Sequence, residues 1–181
     1  MQIKVHDKYF KKYISHKKII EAIEEVAEKI NADYQFSEDV PIVLCVLNGS
    51  IMFTGELMQR LHFDCELHSI KLSSYSGTQS TGEVKEVLGL NIDIKGRPVI
   101  ISEDIVDTGI TINALSKSLL EKGAKEVKIA TLFFKPESYR GGCKIDYVAM
   151  DIQNQFIVGF GLDYNQLGRN YGDIYILDEP K

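Results

Sequence analysis

The chain has 181 residues, the length of one domain, with 44% apolar and 26% charged residues, as in an ordinary soluble globular protein. Its net charge of -5 supplies no basic footprint for nucleic acid. No apolar run approaches the ~20 residues of a membrane helix, and the N-terminal MQIKVHDKYFKKY lacks the apolar stretch of a secretory signal.

Residues 16–34 read as an amphipathic helix, with Ile19, Ile23, Val26 and Ile30 at three- and four-residue steps. Pro41 to Leu47 (PIVLCVL) is an apolar run of strand length that ends in the turn signal Asn48-Gly49-Ser50. A helical pattern follows, with Phe53, Leu57, Met58 and Leu61, and residues 65–72 alternate like a strand. Residues 73–83 (SSYSGTQSTGE) are polar and hold Tyr75 as their one apolar anchor, the composition of a mobile loop and of a candidate lid. Val99 to Ser102 is a second buried strand, and the helix after it starts near Thr111, shows Ile112, Leu115 and Leu119 on one face, and is capped by Gly123. Further strands are expected at 127–134, 145–152, 156–161 and 173–177. Alternating strands and helices imply an α/β fold with a mainly parallel sheet. The cysteines Cys45, Cys65 and Cys143 are odd in number and match no zinc spacing, which fits a reduced, cytoplasmic setting.

The informative stretch is VIISEDIVDTGITI, residues 99–112. Ligands of open parallel sheets gather at the carboxyl ends of strands, where Glu103 and Asp104 are expected to begin an acidic loop. Adjacent carboxylates repel, and sugar hydroxyls or a bound Mg²⁺ would relieve them. In Asp107-Thr108-Gly109-Ile110-Thr111 a glycine permits a tight turn of inward N–H groups. Two hydroxyls and a helix N-terminus complete a cradle for a monophosphate. An ordinary capped helix start would use the same residue types, but the acidic pair, the D-T-G and the second Thr on one strand-to-helix junction make a more specific string.

This segment resembles the phosphoribosyl pyrophosphate signature of type I phosphoribosyltransferases. Leu47-Asn48-Gly49, Ser74-Tyr75, Lys135, Phe156-Ile157-Val158-Gly159, Leu162-Asp163-Tyr164 and Arg169 follow in order, which narrows the resemblance to the hypoxanthine (hypoxanthine-guanine) phosphoribosyltransferase family. The resemblance implies one domain over residues 1–181, with a small hood region and the mobile loop added to the sheet. It implies a purine salvage enzyme that uses Mg²⁺, takes phosphoribosyl pyrophosphate and a 6-oxopurine base, and forms a homo-oligomer (dimer or tetramer). In that pattern Glu103 and Asp104 would hold the ribose hydroxyls, partly through metal, and Asp107 would be the acid/base beside N7. Thr108, Gly109 and Thr111 would bind the 5′-phosphate. Leu47, Asn48 and Gly49 would bind pyrophosphate through a strained peptide, together with Arg169. Lys135, Phe156, Ile157 and Asp163 would line the base side: Lys135 donating to the 6-oxo group, Phe156 stacking, Ile157 offering its carbonyl, Asp163 also ligating a second Mg²⁺. Ser74 and Tyr75 would ride the lid. The chain departs from the pattern at Asn48 and Ile110, where many members carry lysine. A regulator of the same fold that binds nucleic acid and senses nucleotides is the alternative, but it calls for a basic face that this acidic chain lacks. There is no G-x-x-x-x-G-K-[ST] loop, and Gly159-x-Gly161 lacks the third glycine of a dinucleotide site.

Overall fold

A computed structural model of the chain describes residues 2–73, 85–88 and 92–178. Along the chain run β1 (Gln2–Val5), β2 (Lys8–Ile14), α1 (His16–Tyr34), β3 (Ile42–Leu47), α2 (Ile51–Met58), β4 (Glu66–Ser73) and β5 (Lys85–Leu88). Then come β6 (Pro98–Val106), α3 (Ile110–Glu121), β7 (Glu126–Phe134), β8 (Tyr147–Asp151), β9 (Ile157–Val158) and β10 (Ile174–Leu177). Ser74, Tyr75 and nearly all of the loop expected at 73–83 lie outside the described residues.

The main sheet has the order β5-β4-β3-β6-β7-β8. It is parallel from β4 to β8, and β5 joins β4 antiparallel. Strands covered on both faces read as continuous apolar runs, and β3 (IVLCVL) is such a run. Alternate residues of β6 serve opposite faces. Ile100 packs with α1 and α2, through Ile19, Ile23, Ile30, Phe53 and Leu57. Val99 and Ile101 pack with α3, through Ile112, Leu115 and Leu119. Each such aliphatic side chain contributes roughly 1.5–3 kcal/mol on burial, so the apolar periodicity of the helices dictates a three-layer sandwich. Ser15 caps α1, its Oγ accepting from the Lys18 N–H at 3.4 Å.

A second, antiparallel sheet has the order β1-β2-β10-β9 and a small core of Val5, Phe10, Val158 and Tyr175. It is the expected hood. Its Ile157 and Ile174 also enter the core beneath α1, which ties the hood to the main sheet. The strand expected at 156–161 shrinks to Ile157–Val158, because Gly159 (φ 108°), Phe160 (φ 45°) and Gly161 (φ 99°) turn the chain left-handed.

One correction concerns the acidic pair. β6 does not end at Ser102. It leaves β3 there, at the Cys45–Ser102 register pair, but stays with β7 through Val106. Glu103 and Asp104 are therefore on a strand rather than in a loop. The edge they lie on has just lost its β3 neighbour, and that divergence opens the cleft.

Candidate active site

A fully buried hydroxyl relay leads up to the acidic pair. Ser50 Oγ donates to the Val46 carbonyl (2.7 Å), Thr54 Oγ1 donates to the Ser50 carbonyl (2.8 Å), and Thr54 Oγ1 and Ser102 Oγ share a hydrogen bond of 2.8 Å. The relay pins the start of α2 to both β3 and β6, just before the acidic pair. Burial pushes the Glu103 carboxyl well above the ordinary carboxylate range, with the neighbouring Asp104 charge as the second cause. Asp104 is also raised by burial, against the pull of its Glu103 hydrogen bond, of the Ile105 N–H (2.9 Å) and of Arg169.

Close approaches join this pair to the Leu47–Gly49 loop, whose Leu47–Asn48 peptide is cis. A Cβ on Gly49 would overlap the Asp104 carboxylate, and a Cβ on Gly161 would overlap the Gly49 carbonyl. Arg169 Nη1 donates to the Gly161 carbonyl at 2.7 Å, and its Nη2 pairs with Asp163 Oδ1 at 2.6 Å. Asp104, Gly49, Gly161, Arg169 and Asp163 are thus successive neighbours, though they span three separate stretches of chain. Among the described residues no group of three or more His, Cys, Asp or Glu side chains converges to hold a metal.

The cleft has a volume of ≈ 270 Å³ and is lined by Leu47, Glu103, Asp104 and the run from Asp107 to Thr111. Gly109 caps α3 in the left-handed region (φ 83°) with no side chain of its own, and the Ile110 N–H makes a long 3.5 Å bond to Thr108 Oγ1. The first-turn N–H groups of Thr111 and Ile112 remain for an anion. Ile110 is 58% exposed, so the side chain that stands where many relatives carry lysine does not fill the turn. Thr108 and Thr111 are exposed as well.

Lys135 follows β7, and its N–H donates to the Val106 carbonyl at 3.0 Å. Its side chain is almost fully buried. Nζ donates to Asp107 Oδ2 at 2.7 Å and lies 3.4 Å from Asn154 Oδ1. Phe156 is 44% exposed. Its ring meets Tyr164 edge-on at 5.7 Å and Phe10 at 6.1 Å, and Lys8 Nζ stands 6.0 Å from its centroid. The Ile157 side chain is buried in the core.

Sequence reasoning missed Asn154, Gly161 and the Ser50–Thr54–Ser102 relay. The alternation of glycines at 159 and 161 was a visible signal. Asn154 and the hydroxyls carry none, since such residues are ordinary in turns and helices.

The sequence pattern of the phosphoribosyl transferase domain matches residues 11–165. The chain is 42% identical over 166 residues to the hypoxanthine-guanine phosphoribosyltransferase of Streptococcus pyogenes, with 91% of each chain covered. The chain belongs to the hypoxanthine-guanine phosphoribosyltransferase family. Its Lactococcus lactis relative is 42% identical over 167 residues, which cover 91% of this chain and 88% of that one. A hypoxanthine phosphoribosyltransferase structure from Staphylococcus aureus superposes with a TM-score of 0.87 at 31% identity, covering 93% of this chain and 91% of that chain. A Trypanosoma cruzi hypoxanthine phosphoribosyl transferase gives 0.88 at 32% identity, covering 97% and 95%. The chain is accordingly a purine-salvage phosphoribosyltransferase, and nothing in these likenesses favours the regulatory alternative. The domain match takes in every expected site residue of this family except Arg169.

Proposed function

We propose that the chain moves the 5-phosphoribosyl group from phosphoribosyl pyrophosphate to hypoxanthine, and also to guanine, giving IMP or GMP and pyrophosphate. The observation that carries this reading is the Lys135–Asp107 ion pair, whose aspartate lines the same cleft as the acidic pair and the phosphate turn.

In this reading Lys135 donates to the 6-oxo group, and Phe156 stacks on the ring. The Ile157 carbonyl accepts from the 2-amino group of guanine. Asp107 lies at N7 and holds or takes the proton there as the base changes charge. Thr108, Thr111 and the first-turn N–H groups behind Gly109 hold the 5′-phosphate. Positive charge builds on the sugar as pyrophosphate leaves, as in glycosidic chemistry, and Glu103 and Asp104 stand beside it. Arg169 and the Leu47–Gly49 backbone meet the departing pyrophosphate.

The donor set fits Mg²⁺, which binds through one or two carboxylates and completes its shell with water and substrate phosphates. Glu103 and Asp104 form a half-buried acidic pair lining the cleft, and Asp163 lies beyond Arg169. These residues would hold the ion, which when bound would neutralise charge on the pyrophosphate. Ser74 and Tyr75, outside the described residues, belong to this proposal as contacts to phosphoribosyl pyrophosphate. A homo-oligomer, dimer or tetramer, and a cytoplasmic setting complete it. The T. cruzi structure concerns the role of the C-terminal region in oligomeric state and activity. No helix among the described residues is long and apolar enough to cross a membrane.

The test is to incubate the purified chain with phosphoribosyl pyrophosphate, Mg²⁺ and hypoxanthine, and to quantify products by mass spectrometry. IMP and pyrophosphate should appear one to one. Pyrophosphate without IMP would mean hydrolysis, and the transferase reading would fall.

A further inference from the structure

The segment after β7 starts at one subsite and ends against another. Lys135 opens it, and the N–H groups of Ser138 and Tyr139 both return to the Lys135 carbonyl at 3.1 Å. The Arg140 N–H then donates to the Thr108 carbonyl at 3.1 Å. The Tyr139 ring lies under Gly109 so closely that a Cβ on Gly109 would overlap it. Its other side rests on Phe134, with ring centroids 5.3 Å apart and planes at 69°. The Tyr139 hydroxyl donates to the Cys143 carbonyl.

Asn113, in the first turn of α3, closes the arrangement from the helix side. Its Nδ2 donates to the Gly141 carbonyl, and its Oδ1 accepts from the Cys143 N–H at 2.8 Å. Gly142 (φ 118°) packs against the same side chain, where a Cβ would overlap it.

We infer that Tyr139, latched by Asn113, is a positioning residue that sets the backbone of the 5′-phosphate turn and fixes its spacing from Lys135. Gly109 has the freedom to leave φ 83°, since glycine pays no steric penalty elsewhere. N–H groups that wander do not hold a phosphate. A ring wedged beneath the glycine, itself seated on the core, removes that freedom before the ligand arrives, and such preorganisation appears as affinity. The segment that carries Tyr139 also carries Lys135, so base and phosphate subsites are held at one separation. This rests on the reading of Thr108–Thr111 as the phosphate turn.

The test is calorimetric and uses two probes on the full chain with Mg²⁺: ribose 5-phosphate, which bears the 5′-phosphate, and pyrophosphate, which does not. Displacement of a positioned group by about an ångström can cost on the order of 10²-fold. Tyr139→Ala, where the turn is loosened rather than removed, should therefore weaken ribose 5-phosphate about tenfold and leave pyrophosphate within about twofold. Tyr139→Phe keeps the ring and should restore the first affinity. Asn113→Ala removes the latch alone, should act in the same direction, and decides the matter if Tyr139→Ala does not fold. Ribose 5-phosphate binding unchanged in these variants, or pyrophosphate binding lost in parallel with it, would overturn the inference. Failure of the unmodified chain to bind ribose 5-phosphate would instead sink the phosphate-turn reading, and the inference with it.

Discussion

Asp107→Asn separates chemistry from stability because of where the Asp107–Lys135 pair sits. Asp107 Oδ2 and Lys135 Nζ are 2.7 Å apart, with side chains 44% and 9% exposed. Asparagine keeps the shape and still offers an oxygen to the ammonium, so the loss is that between an ion pair and an ion–dipole bond. Solvent at the Asp107 side screens that difference to roughly 1 kcal/mol. For a chain of this size, such a loss lowers Tm by about 2–4 °C. The amide cannot exchange a proton, however, and a general acid–base group is worth about 10²–10⁴-fold in rate. That is roughly 3–5 kcal/mol of barrier, several times the stability effect. The assay is steady-state kcat for hypoxanthine, at saturating phosphoribosyl pyrophosphate, after a melting curve. A folded variant with kcat within about twofold of the unmodified chain would refute the role given to Asp107.

Two other perturbations follow from the same geometry. Glu103→Gln with Asp104→Asn should weaken Mg²⁺-phosphoribosyl pyrophosphate while costing little stability, because two carboxylates whose charges are already disfavoured by burial become neutral; titration calorimetry showing unchanged affinity would place the pair outside the sugar site. In the hood, the Lys12 ammonium (2.7 Å) and the His16 N–H (2.8 Å) hold the Asp173 carboxyl below its ordinary value. A depressed carboxyl contributes stability above its unfolded value of about 3.9 and loses it as pH falls through the folded one. Asp173→Asn should thus lower Tm at neutral pH, and the two melting curves should converge in acid. A gap that persists to the lowest pH would assign the loss to something other than charge.

The centre of the sheet was legible because β3 and the first half of β6 are buried on both faces and so declare themselves as apolar runs. The hood was only partly so. In β2 the buried residues are Phe10 and Ile14, four apart, with two lysines and a tyrosine between them. That spacing mimics a helix face more than a strand, and β1 buries only Val5. The acidic pair was read as a loop because charges rarely stay in a parallel strand. β7 nevertheless carries the pairing on to Val106, with Ile105 and Val106 opposite Phe133 and Phe134. The site residues could be listed from family order, but their partnerships could not. That Lys135 pairs with Asp107, or that Gly161 closes on Gly49, depends on contacts between stretches far apart in the chain. Asn154 and Tyr139 act through such contacts alone and leave no local pattern.

The most direct test of the 6-oxopurine reading is the ratio of kcat/KM for hypoxanthine and adenine at saturating Mg²⁺-phosphoribosyl pyrophosphate. Lys135 has three donors and no acceptor; Asp107 and Asn154 take two of them, and a 6-oxo group can accept the remaining one. The 6-amino group of adenine would turn donors toward that ammonium, whose side chain is itself almost fully buried, and buried polar mismatches of this kind discriminate by about 10⁴-fold or more. Hypoxanthine should therefore be favoured over adenine by at least that order of magnitude. Turnover of adenine comparable to that of hypoxanthine would contradict the assignment of Lys135 and the base specificity built on it.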